Sequence, residues 1–167
     1  MGSLQQLTLG MRDEIARARM VPIGTPFTRF RRAAREMARA TGKDVNLVTS
    51  GEHTEIDTGV VERLVDPLVH LVRNAVYHGI EPTQAAGEIE IDVTRLRGQL
   101  FITVRNPFLE QAGRHHGGNK MAMSNIRERL ALHFDAEASM TAGPRDGRYQ
   151  VQLILPYRRS SDTKTIV

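Results

Sequence analysis

Three polar side chains, His70, Asn74 and His78, recur at four-residue steps in the most informative stretch of the sequence. On a helix this spacing lines them along one slightly drifting face, while the residues between them are mostly apolar and can pack. A neutral Asn oxygen can bind Mg²⁺ when triphosphate oxygens supply most of the other ligands, and a His can handle protons near neutrality. A solvated polar stripe has the same spacing, so the spacing alone leaves both interpretations open.

The composition is that of a soluble globular domain and excludes several kinds of chemistry. The 167 residues are 40% hydrophobic and 25% charged, which is enough for one domain with a core. The chain has no cysteine, which excludes disulfides, and its six histidines lack zinc spacing, so no structural metal is predicted. No apolar run approaches about 20 residues and no signal-peptide pattern opens the chain, so a cytoplasmic domain without membrane contact is expected.

The basic character of the chain indicates an anionic partner. The net charge is +4, but Lys and Arg are spread along the chain and aromatic residues are only 5% of it. No recognition helix and no base-stacking pattern is visible in the sequence. A nucleotide is sufficient to explain the charge, so nucleic-acid binding is only a weak alternative.

Apolar periodicity predicts an α+β domain behind an N-terminal helical arm. In residues 1–20, Leu4, Leu7, Met11 and Ile15 resemble a short heptad seam, which predicts the arm and offers a contact for a homodimer. The domain is predicted over 21–157, with helices near 25–42, 59–78 and 121–134 and strands near 45–48, 54–57, 89–93, 100–104, 137–141 and 149–155. Strands in one sheet with helices on one face make a two-layer α/β sandwich.

Special residues interrupt this pattern at a few places. Pro67 lies inside the central predicted helix and is expected to bend it or mark a restart, and Gly79 is expected to end it. Residues 107–120 are rich in Gly and His and predict a long irregular loop, which is typical of a functional or disordered lid. The polar tail 158–167 is expected to be frayed.

The stretch TEID followed by VERLVDPLVHLVRNAVYHGIEP resembles the N-box of the histidine-kinase ATP-binding domain, in the wording of the chemotaxis kinases (CheA). RARMVPI is similar to the junction between the dimerisation hairpin and the catalytic domain of those kinases. The resemblance implies the Bergerat (GHKL) fold. In the related gyrase, Hsp90 and MutL ATPases, the position of His70 is commonly Glu, so His70 favours phosphoryl transfer to a protein over ATP hydrolysis.

The same resemblance implies the roles of individual residues. Asn74 would hold Mg²⁺, and His70 would be the base or orienting group for an incoming phosphoacceptor His. Arg73, His78 and Lys120 would contact the phosphates of ATP. No phosphoacceptor His is evident in the chain, so the acceptor domain and its response regulator would belong to other chains.

Two glycine-rich boxes of the family are eroded in this sequence. In VRNPF, Asn106 stands where the family has the Asp that accepts from the adenine amine, and a neutral acceptor is the weaker one. In GGNKMAMSNIRERL, Gly118 keeps the first glycine of the phosphate box, while Lys120 and Ala122 replace the next two. Asn106 could also simply end a strand, and Lys120 could be an ordinary surface residue.

The two halves of the chain resemble different kinase groups. The front is CheA-like, whereas VRNP and GNKMAMSNIRERLALHF are similar to the LytS/AlgZ-type sensor kinases, and the resemblances meet near 74–78. This favours an engineered or recombined chimera over a natural kinase with mixed wording. Two functions stay open: an ATP-dependent protein-histidine kinase catalytic domain, and a degenerate scaffold of the same fold that binds no nucleotide.

Overall fold

Alternating apolar residues build a mixed sheet, and amphipathic helices cover one of its faces. The computed structural model describes residues 2–81, 83–109, 116–134 and 137–157. Its helices are α1 (Gly2–Ala18), α2 (Phe27–Thr41), α3 (Thr58–Asn74), a π-helix (Ala75–Ile80) and α4 (His116–Phe134). Its strands are β1 (Met20–Pro22), β2 (Val45–Ser50), β3 (Glu55–Asp57), β4 (Gly87–Leu96), β5 (Gln99–Pro107), β6 (Ser139–Arg145) and β7 (Arg148–Pro156).

The larger sheet has five strands in the order β2-β4-β5-β7-β6. β2 runs parallel to β4, and the other neighbouring strands are antiparallel. Because side chains alternate along a strand, the central strands bury one face and keep the other polar. The buried face carries Ile89, Ile91 and Val93 of β4, Leu100, Ile102 and Val104 of β5, and Val151, Leu153 and Leu155 of β7.

The helices place their apolar stripes on that buried face. One core cluster joins the strands to the helices through large buried side chains, among them Phe27 and Phe30 of α2, Leu64, Leu68 and Leu71 of α3, and Met123, Ile126 and Leu130 of α4. On the opposite face of the sheet, Glu90 pairs with Arg105 at 3.2 Å and with Arg148 at 3.0 Å. The predicted α+β two-layer sandwich with a helical arm is therefore confirmed.

Several local predictions were wrong. The two strands predicted near 45–48 and 54–57 are present as β2 and β3, but they do not share one sheet as expected, because β3 pairs with β1 in a separate two-stranded sheet. The strand β1 was not predicted, because three residues are too few for alternation to be visible. α4 begins at His116, about five residues before the predicted start. The sequence did not predict this first turn, because its glycines have a low helix propensity.

The helix α3 is continuous through Pro67, so of the bend or restart expected there, the restart does not occur. A proline removes one backbone hydrogen bond from a helix. Here Pro67 is buried among apolar neighbours of α3, and this tertiary packing offsets the lost bond. The continuous helix carries Asn74 at its last residue.

The beginning of α3 is fixed by its cap and by the end of the arm. The Asp57 side chain accepts from Gly59 N at 2.8 Å, which satisfies one free donor of the helix. Thr58 donates from its N and Oγ1 atoms to the carbonyl of Arg19, at 2.8 and 2.6 Å. These bonds join the chain that leaves α1 to the helix that carries Asn74.

Replacing Asp57 with Ala is expected to lower the free energy of unfolding by about 1 kcal/mol, because the cap of α3 is lost. Asn caps a helix about as well as Asp, so Asp57→Asn should keep most of the stability and serves as the matched control. Urea unfolding of both variants measures the difference. Equal losses in the two variants would mean that the charge of Asp57, rather than its cap, stabilises the chain.

The arm α1 exposes its apolar seam. Leu4, Leu7, Met11 and Ile15 are 74%, 62%, 61% and 58% exposed. A heptad seam is buried only by a partner helix, so the homodimer stays a prediction. The predicted tail 158–167 and residues 110–115 of the predicted loop lie outside the described residues.

Candidate functional site

The helix that carries the polar residues changes its winding directly after Asn74. Residues Ala75–Ile80 form a π-helix, and Glu81 N donates to Val76 O at 2.8 Å, an i→i+5 bond. A π-helix has more residues per turn than an α-helix, so His78 is rotated about the helix axis away from the face that four-residue spacing predicts. Gly79 does not end the helix as predicted, since it lies inside this π-helix. Single π-turns within helices are frequent at functional sites.

The π-helix packs against the end of strand β5 through Gly79. A Cβ atom at residue 79 would overlap Asn106 Nδ2 and would lie 2.9 Å from Pro107 O. Asn106 is only 6% exposed, and its Nδ2 donates to Pro107 O at 2.7 Å. Its position on β5 follows Leu100, Ile102 and Val104, so the side chain faces the helical layer. Gly79 and Asn106 therefore form one close contact between the helix and the sheet.

The Nδ2 atom of the Asn74 side chain is buried and has no hydrogen-bond partner among the described residues. An unsatisfied buried donor costs roughly 1–3 kcal/mol, and most such donors in proteins are paired. Asn74 would be satisfied by an acceptor atom that enters from outside the chain, and a phosphate oxygen is such an acceptor. The residue therefore fits the magnesium-nucleotide role that was predicted for it.

The other predicted site residues occupy different surroundings. His70 and Arg73 are exposed on α3, one turn or less before Asn74, and His78 is half-buried and already has an interaction partner. Three more lie in α4: Gly118, the exposed Lys120 and the half-buried Ala122. Among the described residues, no hydrogen bond connects Lys120 with Asn74 or Asn106. The helix–sheet contact thus unites the end of the N-box helix with Asn106, while α4 contributes its residues separately.

The acidic and imidazole groups do not supply a metal centre of their own. Within the described ranges, no three His, Asp or Glu side chains are grouped so that they could hold a metal ion. A Mg²⁺ ion at Asn74 would therefore take most of its oxygen ligands from a bound phosphate chain or from water, which is the usual arrangement for this ion.

No protein-family model matches the chain. The chemotaxis protein CheA of Rhizobium meliloti is 44% identical over 96 residues, which are 56% of this chain and 13% of that protein. CheA of Salmonella typhimurium is 36% identical over 119 residues, 71% of this chain and 16% of that protein. The chain is a homologue of CheA.

The fold of this CheA homologue is that of histidine-kinase catalytic domains. The catalytic domain of histidine kinase ThkA superposes with a TM-score of 0.60 at 16% identity, over 83% of this chain and 95% of that one. The histidine-kinase domain of Erythrobacter litoralis EL346 gives 0.59 at 16% identity, over 82% and 66%. The GHKL-type fold predicted from the N-box is confirmed.

The proposed chimera gains no support from these relatives. The match to Salmonella CheA covers 119 residues, so even an alignment that began at the first residue would continue well past His78. The different sequence motifs in the two halves are equally compatible with one natural, divergent domain. None of the described helices is long and apolar enough to cross a membrane, and the cytoplasmic location stays a prediction.

Restoring the family's carboxylate at Asn106 is expected to destabilise the domain. In Asn106→Asp, a carboxylate oxygen would replace the Nδ2 donor and would face the carbonyl of Pro107, acceptor against acceptor. The loss is expected to be about 2 kcal/mol, because a buried acceptor is left unpaired. Thermal unfolding of Asn106→Asp measures it. The control is Asn46→Asp, the same chemical change at an exposed residue of β2, where the long 3.4 Å bond from Asn46 Nδ2 to Glu88 Oε2 is lost in solvent rather than in the interior. Unchanged stability in Asn106→Asp would contradict the expectation.

Proposed function

We propose that this chain is the ATP-binding catalytic domain of a two-component histidine kinase. In this proposal it transfers the γ-phosphoryl group of ATP to a His on a separate domain. The chain corresponds to a small part of its CheA relatives, 13% of the Rhizobium meliloti protein and 16% of the Salmonella one. Histidine-kinase catalytic domains in general use ATP with Mg²⁺. The observation that carries the proposal is the buried Nδ2 atom of Asn74, at the end of the N-box helix, which has no partner among the residues that the structure describes.

Asn74 has two polar atoms for two different tasks. Its Nδ2 atom can donate to a phosphate oxygen, and its Oδ1 atom can coordinate Mg²⁺ without adding negative charge beside the triphosphate. A neutral ligand suits this position, because the phosphate oxygens already neutralise the ion. Bound ATP supplies the phosphoryl group and bound Mg²⁺ offsets the charge that develops during transfer.

His70 is the candidate base or orienting group. It lies one helical turn before Asn74 and is exposed, so an acceptor His from another domain can reach it. Phosphoryl transfer requires mostly positioning and charge stabilisation, and an imidazole can accept the proton that the acceptor ring gives up. The exposed Arg73, on the same helix, and His78, in the π-helix, supply positive or donating groups for the phosphates.

The adenine end of the site is assigned to Asn106. Its Nδ2 atom is engaged by Pro107 O, so the remaining polar atom of the side chain is the acceptor Oδ1. An acceptor suits the exocyclic amine of adenine. Gly79 keeps this amide in place, because the π-helix presses against it without an intervening side chain.

The first turn of α4 is assigned to the phosphates. The leading N–H groups of a helix have no partner within the helix and favour anions. Gly118 lies in this turn, Lys120 follows as an exposed ammonium, and Ala122 is small and half-buried. Lys120 would therefore contact a phosphate without closing the site by itself.

A second candidate function is a scaffold of the same fold that binds no nucleotide. It is favoured by the course of α4, which begins at His116 and includes Gly118, Lys120 and Ala122 in a regular helix. Fewer residues are then left for a glycine loop whose amides wrap around the phosphates than the sequence predicted. The unpartnered amide of Asn74 favours the kinase.

The partners follow from the proposed chemistry. A phosphoacceptor His domain and a response regulator on other chains would receive the phosphoryl group, and the exposed seam of α1 would join two copies. One structure with the same fold contains histidine kinase ThkA in complex with a response regulator, at a TM-score of 0.58 and 17% identity over 84% of this chain. We assign this domain to the cytoplasm, where such partners reside.

Calorimetric titration of the chain with a non-hydrolysable ATP analogue, with and without Mg²⁺, tests the proposal. Saturable binding that requires Mg²⁺ is expected. A phosphotransfer assay with radiolabelled ATP and a separate phosphoacceptor domain of a CheA protein then tests the reaction. Absence of heat from a folded chain would support the scaffold, and binding without transfer would limit the function to nucleotide binding.

A further inference from the structure

An aromatic side chain lies directly beside Asn106. Tyr149 of β7 is the cross-strand partner of Asn106 in β5. Val151, Leu153 and Leu155 of β7 are buried at alternate positions, so Tyr149 shares their face and that of Asn106. The Cβ atoms of directly opposed residues in an antiparallel pair are about 4.5–5.5 Å apart. The Cβ atom that carries the Tyr149 ring therefore lies within the width of a base from the Cβ atom of Asn106.

The ring of Tyr149 is held by a second aromatic residue. The centroids of Phe108 and Tyr149 are 5.9 Å apart, and their planes are inclined by 30°. Tyr149 also packs against the edge of the core, while both rings remain half-buried rather than enclosed. A pair of this geometry constrains the orientation of both rings, and the half-burial of the two residues leaves part of each exposed.

We propose that Tyr149 is a base-contacting residue, whose ring packs against the purine that Asn106 orients. This inference rests on the proposed function and deepens it, since it names what supplies affinity at the base. Asn106 offers one neutral hydrogen bond, which is weak compared with a bond to a carboxylate. An aromatic ring beside it adds contact with the flat face or edge of a heterocycle, which depends little on the pattern of donors and acceptors.

The proposal predicts how binding divides between base and phosphates. A ligand with a purine should depend on Tyr149, and inorganic tripolyphosphate, which has no base, should not. A merely structural role of the Tyr149–Phe108 pair would instead weaken both ligands equally or lower the stability of the chain. Comparing the two ligands therefore separates base contact from general support of the fold.

The first experiment uses the full chain with Tyr149→Leu and Tyr149→Phe, titrated with the Mg²⁺ complexes of a non-hydrolysable ATP analogue and of tripolyphosphate. We expect Tyr149→Leu to weaken the ATP analogue about tenfold, and Tyr149→Phe to stay within about twofold of the unchanged chain. Tripolyphosphate affinity should be equal in all three. Unchanged affinity of Tyr149→Leu for the ATP analogue would overturn the proposal, and so would a parallel loss for tripolyphosphate.

A second measurement uses the absence of Trp from the sequence. Tyr149→Trp introduces a single indole, whose emission should change on binding the ATP analogue and not on binding tripolyphosphate. The matched control is Tyr157→Trp. Residue 157 is eight residues after residue 149, which is roughly 26 Å at the rise of an extended strand. If the Tyr149→Trp chain binds the ATP analogue without a change in its emission, base contact is refuted but the proposed function is not. A chain that binds no ATP analogue refutes the proposed function as well.

Discussion

Asn74→Asp is expected to weaken binding of a Mg²⁺–ATP analogue by about 100-fold, because two changes act in the same direction. The buried Nδ2 donor, which has no partner within the described chain, becomes an acceptor that a phosphate oxygen cannot use. The new carboxylate also places a negative charge beside the triphosphate. Isothermal calorimetry at constant pH and ionic strength measures the loss directly.

The control for this experiment is again Asn46→Asp, which makes the same chemical change at an exposed position on β2. Its nucleotide affinity should match that of the unchanged chain. Thermal unfolding without ligand must also be compared, since a carboxylate at residue 74 is partly buried and could destabilise α3. Binding by a folded Asn74→Asp variant that equals binding by the unchanged chain would refute the assignment of Mg²⁺ and phosphate to this residue.

The same variant distinguishes the kinase from the scaffold. In a scaffold, the Nδ2 atom of Asn74, unpaired within the described chain, is a permanent cost of roughly 1–3 kcal/mol, and replacing it changes only stability. In a kinase, that cost is offset each time a nucleotide binds. The unchanged chain should therefore be stabilised by saturating Mg²⁺–ATP analogue, with a rise in Tm that grows with ligand concentration, and Asn74→Asp should lose this rise.

Much of the architecture could be predicted from local periodicity. Ile89, Ile91 and Val93 alternate with acidic residues, so the strand and its buried face are visible in the sequence. The hairpin partner beginning at Leu100 follows from the Arg97-Gly98 turn, where both residues have positive φ. The Asn74 helix was recognisable from the run of matching residues around it, which is more specific than its spacing.

The remainder depends on contacts between distant residues, which periodicity does not encode. The π-helix after Asn74 has the same apolar pattern as an α-helix, so its winding was not predictable from the sequence. The pairing of β1 with β3 joins segments more than thirty residues apart through only three residue pairs. Tyr149 was placed in a strand, but its position opposite Asn106 depends on the register of two strands far apart in sequence.

The close contact of Gly79 gives the largest expected effect on stability. A methyl group at residue 79 would overlap Asn106 Nδ2 and would lie 2.9 Å from Pro107 O and 3.0 Å from Asn106 Cγ. Gly79→Ala is therefore expected to lower the free energy of unfolding by about 3 kcal/mol, as overpacking of a well-packed interior does. The Tm should fall by roughly 10 °C, at about 2–4 °C per kcal/mol for a domain of this size.

The matched control is Gly143→Ala in β6, where an added Cβ meets no atom within 4 Å. Its Tm should stay close to that of the unchanged chain. A decrease in Tm that is equal in Gly79→Ala and Gly143→Ala would show that loss of glycine in general, rather than the contact with Asn106, destabilises the domain.

A double-mutant cycle tests whether the strain of Gly79→Ala acts through Asn106. Asn106→Ala removes the side chain that the new methyl group would overlap, so the double variant should lose less stability than the sum of the two single variants. Residual strain against Pro107 O should remain, because that atom belongs to the backbone. Additive losses would place the strain elsewhere. A favourable coupling would establish that the π-helix after Asn74 and the end of β5 are energetically coupled at the contact between Gly79 and Asn106.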